Sequence, residues 1–136
     1  MLYPMFAMVL LTCVVAGYLL SLRINAVKSK QLKLSQFRLN NSSDIPEAIA
    51  QAARNYSNLF EVPLLFYAAG ILTLVLRVDS TAMLICAWGF VLTRVVHSWI
   101  HITNNNVVYR LYAFAAGLIL VLTMWLLLLA SYSFHP

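Results

Sequence analysis

Charge is what this chain has least of. Only 4 of its 136 residues are acidic, and charged residues of both signs make up 10%, against about 25% in soluble domains. Hydrophobic residues reach 62%, above the usual range of about 45–50%, and mean hydropathy is +0.84. That balance excludes a water-soluble globular domain and points to an integral membrane protein. The net charge of +5 does not signal a nucleic-acid partner, because five of the nine basic residues lie between Arg23 and Arg38, directly after an apolar run. Such placement reads as a juxtamembrane cytosolic loop. Cysteine is also scarce. Cys13 and Cys86 both fall inside apolar segments and there is no CxxC, which excludes a disulfide framework and leaves two small hydrophobes. No basic residue precedes the first apolar run and a basic segment follows it, so a retained first span is expected in place of a signal peptide. No low-complexity segment or internal repeat is present.

What is present is a set of apolar stretches. Each is long enough for the roughly 30 Å hydrocarbon core. The expected spans are 2–22, 45–76, 81–103 and 107–132, forming a single domain over 1–136. This makes an all-α fold, an integral membrane four-helix bundle with up-down topology. Ser43 or Asp44 is the expected cap of the second helix, with Pro46 in its first turn, and Asp79 or Ser80 that of the third. The positive-inside rule puts the first and third loops in the cytosol and both termini outside it. The Ala113–Gly117 stretch offers small residues for close helix packing.

Ionisable residues inside spans are costly, about 2.5–3.5 kcal/mol each on insertion scales, so they face partners or wet cavities. Arg54, Asn58 and Glu61 stand at i, i+4 and i+7, one face of a continuous helix. Pro63, two residues later, is a candidate kink. On the third helix Arg94, His97 and His101 stand at i, i+3 and i+7, and Arg110 follows across an Asn-rich turn. Glu61 is one acid against three arginines. Glu61 needs a cation, for which Arg94 or Arg54 is the candidate; an interhelical Glu61–Arg94 ion pair would account for part of this set, and the excess of cations implies an anionic guest, for which guanidinium is suited to bidentate carboxylate recognition. His97 and His101 form H-x-x-x-H, a spacing that can serve metal, but Ser98 stands where HExxH has its glutamate and only Glu61 offers a third ligand. No metal is expected.

At these residues the chain resembles the MAPEG family, the membrane-associated proteins in eicosanoid and glutathione metabolism. The resemblance is carried by RNYSNLFEVPLLF at Arg54–Phe66 and RVVHSWIHITNNNVVYR at Arg94–Arg110, together with four spans and a basic first loop. It is nearer to bacterial members than to the eukaryotic leukotriene and prostaglandin synthases. The resemblance implies a homotrimer in a bacterial inner (plasma) membrane, with glutathione as cosubstrate between protomers. It implies that Arg54, Asn58, Glu61, Arg94, His97 and His101 hold glutathione, more loosely Arg23 also, and that Arg110 lies near the thiol as the catalytic residue. Ser57 and Phe114 depart from the arginine and tyrosine that some active members carry, and Pro63 follows Glu61 at a shorter spacing than in the synthases. The expected function is glutathione transferase or peroxidase chemistry on a lipophilic substrate by thiolate stabilisation. The alternative is a non-catalytic membrane module that binds an anionic lipid or a partner through the same polar columns. A transporter is disfavoured, since the charges gather at one leaflet instead of lining a path across.

Overall fold

The computed structural model describes residues 1–32, 45–78 and 80–133. Five helices occur among them: α1 (Leu2–Lys28), α2 (Glu47–Asn58), α3 (Val62–Val75), α4 (Thr81–Ile102) and α5 (Val107–Ser133). α2 and α3 are consecutive pieces of one span. Four segments are therefore long and apolar enough to cross a membrane: Leu2–Lys28, Glu47–Val75, Thr81–Ile102 and Val107–Ser133. They pack as an all-α four-helix membrane bundle in which α4 and α5 form the most extensive pairing. α1 runs beyond the expected end at residue 22 and carries Lys28 in its last turn, where a cation suits the negative end of the helix dipole.

The second span is where sequence and structure part. The sequence pattern implies one continuous helix there, with Arg54, Asn58 and Glu61 in a column. The helix instead breaks at residues 59–61. Pro63 lacks an N–H, and in a continuous helix its ring would meet the Leu59 carbonyl four residues back. The chain responds by tightening: Leu59 N–H donates to Tyr56 O at 3.1 Å and Phe60 N–H to Ser57 O at 2.9 Å, the three-residue bonds of a closing turn. Glu61 then leaves helical geometry at φ −87°, ψ −92°, and α3 restarts with Pro63 in its first turn, a position that tolerates proline. Arg54 and Asn58 share α2, while Glu61 heads α3.

Local chemistry sets the other ends. Pro46 precedes α2 as its N-cap residue; Ser43, Asp44 and Asp79 lie outside the described residues. Ser80 caps α4, its hydroxyl accepting from Met83 N–H at 3.3 Å. In the Asn-rich turn Asn105 takes φ 50°, which asparagine tolerates better than most side chains. Asn106 Oδ1 accepts from Val108 N–H at 3.0 Å and Tyr109 N–H at 3.2 Å, capping α5.

The main core joins α1, α3, α4 and α5. Phe66 and Phe90 stack at its centre with ring centroids 4.5 Å apart, surrounded by Met8, Ala69, Ala87 and Met124. Trp125 Nε1–H donates to Leu65 O at 3.2 Å and ties α5 to α3. A second cluster of Leu19, Ala26, Leu32, Ile49 and Ala52 seals α1 against α2. Cys13 faces outward and Cys86 is half-buried. Val14, Leu64, Val75, Ile85, Leu92 and Trp99 are exposed, the outer surface a bundle presents to lipid or to other copies.

Phe66 is fully buried. Because lipid is as apolar as the core, its loss is felt as lost packing more than as lost burial. Phe66→Ala is expected to cost about 2–3 kcal/mol, mostly as a cavity term, measured as a lowered melting temperature in detergent by circular dichroism.

Candidate functional site

The polar residues of α4 form one inward stripe: Arg94, His97, Ser98 and His101 are all buried. Arg94 is 1% exposed. Its Nη2 donates to two carbonyls of α5, Phe114 O at 3.2 Å and Ala113 O at 3.3 Å. Its guanidinium lies between two rings, with Cζ 5.4 Å from the Phe90 centroid and 5.2 Å from that of Phe114. Gly117 makes this seat. A helical side chain leans over the turn before it, so a missing side chain at 117 uncovers the carbonyls of Ala113 and Phe114. A Cβ there would stand 2.5 Å from Arg94 Nη2 and 2.9 Å from Thr93 Oγ1.

No ion pair joins Arg94 to Glu61 among the described residues, which corrects the expected interhelical pair: Glu61 is exposed at the α2–α3 break, and Nε and Nη1 of Arg94 have no hydrogen-bond partner. Two charge-assisted bonds contribute about 1.5–3 kcal/mol each at best, and two ring contacts about 1–2 kcal/mol each. Those offset a desolvation penalty of several kcal/mol, but the three N–H groups on Nε and Nη1 remain open.

Next to this seat the surface opens into a cleft of about 210 Å³ lined by Asn58, His97, Val107, Arg110, Leu111 and Phe114. It joins the end of α2, the last turns of α4 and the start of α5. His97 Nδ1 is 3.1 Å from the carbonyl oxygen of Arg110. The Arg110 side chain is held by Asn105, whose Oδ1 accepts from Nη1 at 2.7 Å. His101 lies behind His97, with ring centroids 5.9 Å apart, and is fully buried without lining the cleft. Arg54, exposed on α2, is within electrostatic reach of both His101 and Arg110. Arg94, His97, His101, Arg110 and Arg54 thus form one chain of electrostatic neighbours. Arg23 is half-buried on α1 and does not line the cleft. Among the described residues no group of three His, Cys, Asp or Glu is placed to hold a metal ion.

Several residues of this region do not stand out in the sequence. Asn55, one turn before Asn58, is 0% exposed and neither atom of its amide has a partner; Ser98 Oγ is likewise unpartnered. A second amide within RNYSN is visible in the sequence, but which side of α2 is covered is not. The Phe90–Phe114 clamp reads as ordinary core until Arg94 is seen between the rings.

A helical membrane bundle whose polar interior is cationic at one end is the class of protein this arrangement defines. Comparison with known families matches residues 1–130 to the MAPEG family, and the chain belongs to that family. No curated protein and no solved structure matches the chain.

Gly117→Ala is expected to unseat Arg94 and lower stability by about 2 kcal/mol, the scale of a lost charge-assisted bond. In an Arg94→Met background only the contact with Thr93 Oγ1 remains, and the same change costs clearly less, as expected of a cycle whose Arg94 coupling is gone. Thermal melts of the four proteins check this; equal costs in both backgrounds exclude the seat.

Proposed function

We propose that this protein binds glutathione in the cleft between α2, α4 and α5 and uses it on lipophilic substrates, as a transferase or peroxidase. One observation carries the reading: Arg54, Arg94 and Arg110 converge with two histidines, and no carboxylate approaches Arg94 among the described residues. Such a nest calls for a guest with more than one negative charge, and glutathione brings two carboxylates and an ionisable thiol.

Arg54 and Arg94 receive the carboxylates in this reading, with Asn58 in the cleft wall, His97 and His101 as hydrogen-bonding groups and Glu61, exposed at the head of α3, holding the α-amino group. Arg23 is a looser candidate for a carboxylate. Arg110 stands by the sulfur. A free thiol has a pKa near 8.5 and only the thiolate is the nucleophile. Lowering that by about 1.5 units takes roughly 2 kcal/mol of preferential thiolate stabilisation, within reach of one guanidinium in a poorly solvated cleft. The electrophile arrives from the lipid past Val107 and Leu111, both exposed apolar residues at the cleft.

The cleft of about 210 Å³ in one chain is smaller than typical ligand pockets, which begin near about 300 Å³. A tripeptide overhangs it. In a homotrimer a neighbouring copy covers the remainder, and the exposed apolar faces of the bundle supply the contact. The second reading is a non-catalytic module in which the same cations hold a lipid phosphate; it is favoured by the exposed apolar residues beside the nest.

The deciding experiment is calorimetry with glutathione on the purified protein in detergent. Saturable binding is expected, with a raised melting temperature as linkage requires. Arg54→Ala should weaken it about 10–100-fold, the equivalent of one charge-assisted contact of about 1.5–3 kcal/mol. Arg110→Ala should lower turnover more than binding. No binding at millimolar glutathione overturns the reading and turns the search to anionic lipids.

A further inference from the structure

The wall of the cleft contains one unfilled position to which the glutathione reading gives no more than a hydrogen bond, and the role assigned to it here rests on that reading. A carbonyl oxygen only accepts, so the contact between His97 Nδ1 and Arg110 O at 3.1 Å puts a hydrogen on Nδ1. In the neutral ring Nε2 then carries the lone pair. That nitrogen is buried and has no partner, on a side chain that is 4% exposed and lines the cleft. A buried acceptor without a donor costs about 1–3 kcal/mol, so a guest of the cleft that reaches this nitrogen with a hydrogen relieves that cost. Arg110 has two parts in this arrangement. Its backbone carbonyl sets the tautomer and aim of His97, and its guanidinium, braced by Asn105, lines the same cleft. An anion and a proton donor are wanted side by side, and a thiol supplies both from one atom.

We propose that His97 Nε2 takes the thiol proton of bound glutathione and keeps it within the site. The S–H bond breaks, an Nε2–H bond forms, and the electron pair stays on sulfur beside Arg110. No proton leaves to solvent. The charged and titratable groups facing His97 are Arg94 and His101 on its own helix and Arg110 on α5, with Arg54 of α2 facing His101 and Arg110 in turn. An imidazolium adds a cation to that nest. The same step creates a thiolate next to it, and the two carboxylates of the tripeptide have already offset two guanidiniums. The transfer therefore moves charge within the site and leaves its total unchanged.

Stabilisation by Arg110 alone predicts a different proton count, since the thiol proton then goes to bulk water. The test mixes glutathione with the protein in detergent in weakly buffered solution and follows the ultraviolet absorbance of the thiolate together with a pH-indicating dye. The expected result is thiolate formation with far less than one proton released per thiolate. His97→Gln keeps an amide donor for the Arg110 carbonyl but has no basic nitrogen; it should release one proton per thiolate, or bind glutathione without forming thiolate. One proton per thiolate in the wild type overturns the proposal, as does an unchanged count in His97→Gln. Binding without thiolate absorbance overturns the transfer and leaves the binding site standing, whereas absence of binding overturns both. Nitrogen NMR of histidine-labelled protein without ligand adds an independent check, because a hydrogen found on Nε2 of His97 and not on Nδ1 overturns the proposal.

Discussion

The polar stripe of α4 is built around one buried guanidinium. Arg94 hangs from two carbonyls of α5 and lies between Phe90 and Phe114. A charge at this depth survives only where dipoles and rings replace its hydration. The α4–α5 pairing does both through a gap in the α5 surface at Gly117. The small-residue run Ala113–Gly117 thus serves close packing, but the object packed is a cation as much as a helix. The seat satisfies Nη2 and leaves Nε and Nη1 open. None of the described residues supplies a carboxylate to those two nitrogens.

The break in the second span has a related consequence. Pro63 ends α2 at Asn58, so the last residue of that helix lines the cleft instead of continuing into the apolar part of the span. Glu61 is turned outward at the head of α3. No ion pair joins it to Arg94 among the described residues. In a straight helix the acid would share a face with Arg54 and Asn58, where it would neutralise part of the nest. The Asn-rich turn does comparable work at the other wall: Asn106 caps α5 and Asn105 braces Arg110. One short turn both starts the helix and aims its first cation.

Much of this is legible in the residue order. Four apolar stretches and their approximate limits follow from hydropathy, because membrane spans have long, simple patterns. Arg54, Asn58, Arg94, His97, His101 and Arg110 stand out because polar residues are rare in such a chain. Asn55 is equally buried yet draws no notice, and Ser98 does so only as the residue in place of a glutamate, since a single amide or hydroxyl on a helix carries no sign of which face is covered. Placing Glu61 in a column with Arg54 and Asn58 assumes an unbroken helix. The proline responsible for the break is visible two residues away, but whether proline bends a helix or divides it depends on what the freed carbonyls and N–H groups can bond to nearby.

Composition and residue order by themselves determined that the chain enters a membrane, that it does so as helices, and that cations outnumber acids at one end. Those properties are sums over many residues, and a backbone in lipid has few ways to satisfy its own hydrogen bonds. Only the tertiary structure decided which of the polar residues meet. Arg94 and Gly117 are distant in sequence and touch because α4 and α5 run back to back. His97 is aimed by a carbonyl on the next helix, a contact made by the backbone of Arg110 and therefore invisible in the identity of its side chain. Interhelical distance and rotation are set by packing over the whole bundle, and no local pattern encodes them.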